Sequence, residues 1–278
     1  MRGWAILRRR RLAAGAVLTV AVAAAVSTCG GGKDAGAGAV SIQGGEYAFV
    51  VLDSVEGGVV SFEYENIGDE IHEFAMGRIA EGKTIEDVEA LFASEGGEIP
   101  DRIEGVAGVP VLSPGQELGI TREARAGEVR APVPDPLAAG DASPRPWQDR
   151  IRTFEVAGES ELELPEGVPV IAAGEDAFDV PELESGPRTI ELRNAASSER
   201  EFNLVMLADG FTTEQAEAFD WDGWFEGGQE GPLPFVLLGA MQSIPPGTSV
   251  YLTIDLEAGK LYRISDEENG IQAEFTPR

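Results

Sequence analysis

Two side chains in this 278-residue chain occur once each, and both are of types that chemistry recruits: His72 and Cys29. His72 lies in Asn66-Ile-Gly-Asp-Glu-Ile-His72-Glu73-Phe74, with Asp69, Glu70 and Glu73 near enough in sequence to join it around a cation. One imidazole among carboxylates makes a weak metal site, because strong sites use three or four well-placed ligands. The competing role is a buried histidine kept for packing and hydrogen bonding, and the ligand count favours it. There is no second histidine to build a base–orienter pair, no G-x-S-x-G elbow and no phosphate-binding glycine loop, so no enzyme signature emerges. With 49 acidic residues, paired carboxylates are unavoidable and carry no weight. Trp221, Trp224 and Phe225 sit together in one acidic stretch. They could form an aromatic platform for a glycan or a protein, or cover an open end of the fold. Asp266, Glu267 and Glu268 lack the spacing of a calcium loop and read as a solvated hairpin tip.

The stretch around His72 occurs twice. Asn194-Ala-Ala-Ser-Ser-Glu-Arg200-Glu201-Phe202 overlays Asn66 to Phe74 without a gap, at an offset of 128 (194 − 66 = 128). Gly82 and Gly210, Thr84 and Thr212, Glu86 and Glu214, and Ala90 and Ala218 continue that register. Pro114-Gly115 and Ala126-Gly127 return as Pro246-Gly247 and Ala258-Gly259, at an offset of 132 (247 − 115 = 132). Stacked-array repeats run to about 20–50 residues, so this longer period marks a duplicated domain. Where the first copy has His72, the second has Arg200.

The elements that must position these residues read as strands. Val60, Phe62 and Tyr64 alternate with Ser61, Glu63 and Glu65, the period of a half-buried strand. Strands are expected over 47–52, 59–65, 73–79, 106–112, 117–124 and 152–156 in the first copy. In the second they are expected over 178–180, 188–193, 202–207, 248–256, 260–264 and 274–276. Thr84 opens a short helix to Ala93, and the capping-box sequence Thr212-Thr-Glu-Gln215 opens another to Phe219. The stretch from Ala131 to Pro136 is too proline-rich for a central strand. The fold class is all-β: two tandem Greek-key β-sandwiches, each with a short helix, after an N-terminal signal helix. The expected boundaries are 1–28 signal peptide, 29–44 flexible Gly/Ala tether, 45–157 first domain, 158–167 linker and 168–278 second domain. Leu162 and Leu164 alternate with Glu161 and Glu163. The linker therefore either separates two independently folding units or pairs as an edge strand that couples them.

The succession of an early strand pair, Asn66 through His72-Glu73-Phe74, Ser113-Pro114-Gly115, the Gly127 hairpin, Pro132 to Asp135, and Phe154 to Val156 resembles a cupredoxin, the blue-copper fold. The resemblance implies that His72 stands at the first copper-ligand position. The family's cysteine falls near Ala131 to Val133, its second histidine near Arg145 and its methionine near Ile151, and none of these carries a ligand side chain. A blue-copper site needs a thiolate and two imidazoles. One histidine, with the one cysteine far away at position 29, cannot supply that set. Arg145 would also bring a permanent positive charge toward a cation. The implied state is metal-free, with copper as the cofactor only if His72 handles it. The second copy resembles the family more weakly, with Arg200 at the first-ligand position.

The net charge of −28 argues against nucleic acid and against electrostatic docking on anionic lipid, and favours solubility or cationic partners. Met1 to Arg11 is basic and 12–26 is uncharged, about the length of a signal-peptide core and shorter than a spanning helix. The run ends in Val26-Ser27-Thr28-Cys29-Gly30, which resembles a bacterial lipobox apart from Thr28. That resemblance implies that Cys29 is the lipidated first residue of the mature protein, with the membrane as a partner through the anchor. The arginine run leaves the Sec or twin-arginine route open, and a lone cysteine excludes an internal disulfide. The expectation is a lipid-anchored extracytoplasmic binding or scaffolding protein, not an enzyme, whose partner is a protein or a glycan. The alternatives are a copper-handling or electron-transfer protein using His72, and a carbohydrate-binding module using Trp221 and Trp224.

Overall fold

The computed structural model describes residues 39–45, 48–50, 54–87, 90, 103–124, 129–133, 154–158, 160–220 and 232–278. Cys29, Arg145, Ile151, Trp221, Trp224 and Phe225 lie outside them. No helix among the described residues is long and apolar enough to cross a membrane. The first copy contributes β1 (Ala39–Gly45), β2 (Ala48–Val50), β3 (Ser54–Glu56), β4 (Gly58–Asn66), β5 (His72–Ile79), β6 (Ile103–Leu112), β7 (Glu117–Ala124), β8 (Val129–Val133) and β9 (Phe154–Ala157). The second contributes β10 (Val170–Ala173), β11 (Phe178–Asp179), β12 (Gly186–Asn194), β13 (Arg200–Leu207), α1 (Thr213–Glu217), β14 (Phe235–Ile244), β15 (Ser249–Leu256), β16 (Tyr262–Asp266) and β17 (Ile271–Phe275). The alternation seen in the sequence sets which faces are buried. Val60, Phe62 and Tyr64 are all within 1% of full burial, and so are Ile190 and Leu192. Their rings meet those of the facing sheet, Tyr64 on Phe74 edge-on at 5.5 Å and Phe62 near Phe154 at 6.1 Å. Aromatic pairs prefer such tilted or edge-on contact because the ring edge is positive and the face negative.

The two copies do not form two separate sheet pairs. One eight-stranded sheet runs β11-β10-β12-β15-β7-β4-β1-β2, and one nine-stranded sheet runs β17-β16-β13-β14-β6-β5-β8-β9-β3. Each order is close to a palindrome, because the copies meet edge to edge through β7 with β15 and β6 with β14. In the first seam Ile120 lies opposite Leu252, its own counterpart at the repeat offset (252 − 120 = 132). The neighbouring pairs, Gly119 with Thr253 and Thr121 with Tyr251, exchange under the same offset. The copies are thus related by a pseudo-two-fold axis through that pair, the geometry of an isologous dimer contained in one chain. In the second seam Leu238 faces Leu112, and Ser113 both donates its N–H to Leu237 O at 2.8 Å and accepts from Leu237 N at 2.9 Å. Gly239, at φ +78°, lets β14 approach: a Cβ there would lie 2.2 Å from Val109 Cγ1 and 2.9 Å from Leu118 Cδ2. One buried apolar cluster runs from Val40 through Leu118 and Leu252 to Ile271, so the core crosses the seam as well.

Several expectations need correction. Residues 39–44, placed in the flexible tether, belong with Gly45 to β1, parallel to β4, with Val40 and Ile42 at 4% and 2% exposure. Two inward side chains on alternate positions are enough when a core strand offers its open edge. The proline-rich stretch does enter a sheet: β8 lies between β5 and β9, with Pro132 opposite Met76. Proline removes one ladder donor there, and the other pairs of the strand hold it in place. Residues 160–169 form no strand. They span the seam, from Ser160, which donates to Gly57 O beside β4, to Pro169, whose carbonyl accepts Glu191 N of β12. The capping box forms as expected, with Gln215 N donating to Thr212 Oγ1 at 3.3 Å and Thr212 N to Gln215 Oε1 at 2.9 Å.

Candidate functional site

The repeated asparagine is a pin, and it determines where residues 72 and 200 go. Asn66, fully buried, donates through Nδ2 to Glu70 O and to Leu112 O, both at 2.7 Å, while its Oδ1 accepts from Gly68 N at 2.9 Å. Asn194 repeats the arrangement with Ser198 O, Ile244 O and Ala196 N at the same three distances. Each amide closes its own turn and ties it to the end of the neighbouring strand, β6 or β14. The chain then re-enters the sheet one turn later, at His72 in β5 and at Arg200 in β13. Alternation from there sends His72, Phe74 and Met76 inward, and His72 is 2% exposed.

In the second copy the guanidinium is enclosed by acceptors. Arg200 is 2% exposed and donates from Nε to Gly174 O at 3.3 Å and from Nη2 to Glu175 O at 3.0 Å. Its Nη2 lies 3.5 Å from Glu175 Oε2, and its Nη1 lies 3.7 Å from Asp266 Oδ2. Asp266 is fully buried at the end of β16 and accepts three bonds from Asn269, one from N and two from Nδ2, at 2.9 to 3.1 Å. Asp266 is therefore not part of a solvated hairpin tip. Tyr262, Ile264 and Asp266 point inward on alternate positions. That period-two pattern was available in the sequence, but the acidic run after it concealed it. Hydrogen bonds from Ser197 hold the exposed Glu175 carboxyl below its ordinary range. Burial pushes Glu201 up to about 6, aided by Asp266, Glu268 and Glu267 and opposed by a hydrogen bond from Asn203. Its counterpart Glu73 is 8% exposed and accepts from Gln242 Nε2 across the seam.

The donor set does not fit copper. At the His72 position the second copy places a permanent cation, already paired with Asp266. In the first copy Val133 lies opposite Ala75 as Ser265 lies opposite Asn203, so the position matching Asp266 is 134 (266 − 132 = 134), outside the described residues. Among the described residues no group of three or more His, Cys, Asp or Glu side chains converges as a metal site would. The structure brings Arg200, Glu175, Asp266 and Asn269 together. No three of Asp69, Glu70, His72 and Glu73 converge as a metal site would, and Glu73 accepts from Gln242. The other candidates, Cys29, Trp221, Trp224 and Phe225, lie outside the described residues.

No family model and no curated protein matches the chain. Solved structures do. A dithionite-reduced auracyanin from the photosynthetic bacterium Roseiflexus castenholzii is 19% identical, covering 39% of this chain and 94% of its own, with a TM-score of 0.26. A multicopper oxidase is 11% identical over 86% of this chain and 87% of its own, TM-score 0.23. A copper nitrite reductase from Nitrosomonas europaea is 11% identical over 86% and 93%, TM-score 0.24. At such identities and scores these likenesses carry no argument about what this chain binds or does.

Proposed function

We propose that the protein is a lipid-anchored extracytoplasmic binding or scaffolding protein, built from two cupredoxin-like units that work without metal. The observation that carries the metal-free reading is the buried Arg200–Asp266 pair, where a guanidinium stands at the position matching His72. A fixed positive charge there opposes a second cation, and the chain has one imidazole and one thiol in total. Export and anchoring rest on the sequence before residue 30. The deciding experiment is a copper titration of the purified protein followed by visible absorption. No intense thiolate–copper band and no stoichiometric retention are expected. Retained copper that disappears in His72→Ala would replace this reading with the copper-handling one. Anchoring has its own test: the wild type should enter the detergent phase of a phase-separated extract, and Cys29→Ala should not, because acyl chains supply the attachment.

A further inference from the structure

The chain has four asparagines, and Asn269 alone is followed by glycine. Asn66 and Asn194 are fully buried pins and Asn203 is half-buried, whereas Asn269 and Gly270 are exposed at the tip between β16 and β17. Gly270 has φ +67°, and nothing lies within 4 Å of where a Cβ would sit, so its amide nitrogen is unscreened by a side chain. The Asn269 amide is also the clasp of the tip: Nδ2 spans both oxygens of the buried Asp266, at 3.1 and 2.9 Å, and Asp266 in turn faces Arg200.

We infer that Asn269-Gly270 is a self-modification site, at which Asn269 deamidates through the next residue's backbone and the product unclasps the hairpin tip from Asp266. The Gly270 nitrogen, giving up its proton to solvent, bonds to Asn269 Cγ. The Cγ–Nδ2 bond breaks and ammonia leaves with a proton from solvent, which closes a five-membered succinimide. Water then opens the ring. Cleavage of the new N–Cγ bond yields aspartate, and cleavage of the original peptide bond yields isoaspartate, with one more carbon in the backbone. The net change is amide plus water to carboxylic acid plus ammonia, with no redox step. Either product replaces a two-bond donor with a carboxylate facing a buried carboxylate, beside Glu267 and Glu268. Both the lost hydrogen bonds and the like charges oppose the closed tip. Asparagine is among the thermolabile residues for this reason.

The test uses the full chain, held folded at mildly alkaline pH and mapped over time by peptide mass, with an isoaspartate methyl-acceptor assay. Conversion should concentrate at Asn269, with isoaspartate among the products, and the signal should be absent in Asn269→Gln. An Asn269 amide that persists in the folded protein but converts in urea would overturn the inference, because the fold would then be protecting the site. The consequence is read separately. Asn269→Asp should lower Tm, and adding Asp266→Asn should recover part of the loss. An Asn269→Asp protein that melts with the wild type would refute the unclasping.

Discussion

Glu201 offers a perturbation whose size and pH dependence both follow from its surroundings. Its carboxyl is pushed from an ordinary 4.5 up to about 6, first by burial and then by Asp266, Glu268 and Glu267. An acid whose folded pKa is raised binds its proton more tightly in the folded state than in the unfolded one, so its contribution to stability falls as pH rises between the two values. A gap of about 1.5 units, at 1.36 kcal/mol per unit, makes the ionised side chain cost about 2 kcal/mol above pH 6. Glutamine has the same shape and no charge, and keeps an acceptor for Asn203, whose Nδ2 lies 3.4 Å from Glu201 Oε2. Glu201→Gln should therefore raise the urea unfolding free energy by about 2 kcal/mol near pH 7.5, and the gain should shrink through pH 6 and vanish below pH 4.5. Paired urea titrations of both proteins at closely spaced pH values measure it. A gain that is independent of pH, or a loss at pH 7.5, would refute the reasoning, since desolvation of the charge would then not be what separates the two proteins.

Gly239→Ala should destabilise by about 2–4 kcal/mol in denaturant titration, combining overpacking against Val109 and Leu118 with the left-handed backbone at φ +78°. Asn66→Ala and Asn194→Ala should each cost about 3 kcal/mol, because both leave buried backbone groups without partners, and the two losses should be similar since the pins match bond for bond. The wild type should unfold in one calorimetric transition, because both sheets and the core continue across the seam; two resolved transitions would show the copies to be energetically separate.

Much of the local architecture was legible in the sequence. Alternating apolar residues marked β4 and β12 nearly to their ends, because a half-buried strand imposes a period of two on its residues. The capping box at Thr212 and the Asn-turn at 66 and 194 were legible because their hydrogen bonds run within a few residues. The repeat offset alone matches β5 to β13 and β7 to β15. What the tertiary structure decided was adjacency. Backbone N–H and C=O groups pair without regard to side chain, so no residue pattern in β7 says that its next neighbour is β15 rather than solvent. Gly239 reads as an ordinary strand glycine until Val109 and Leu118 are placed against it. Val40 and Ile42 are too few to announce β1 inside a glycine-rich stretch, and only the open edge of β4 gives them a core to enter. Asp266 looks solvated among its acidic neighbours because a sequence lists charges by order along the chain. Its burial depends on Arg200, 66 positions earlier, arriving 3.7 Å away to offset the cost of desolvating it (266 − 200 = 66).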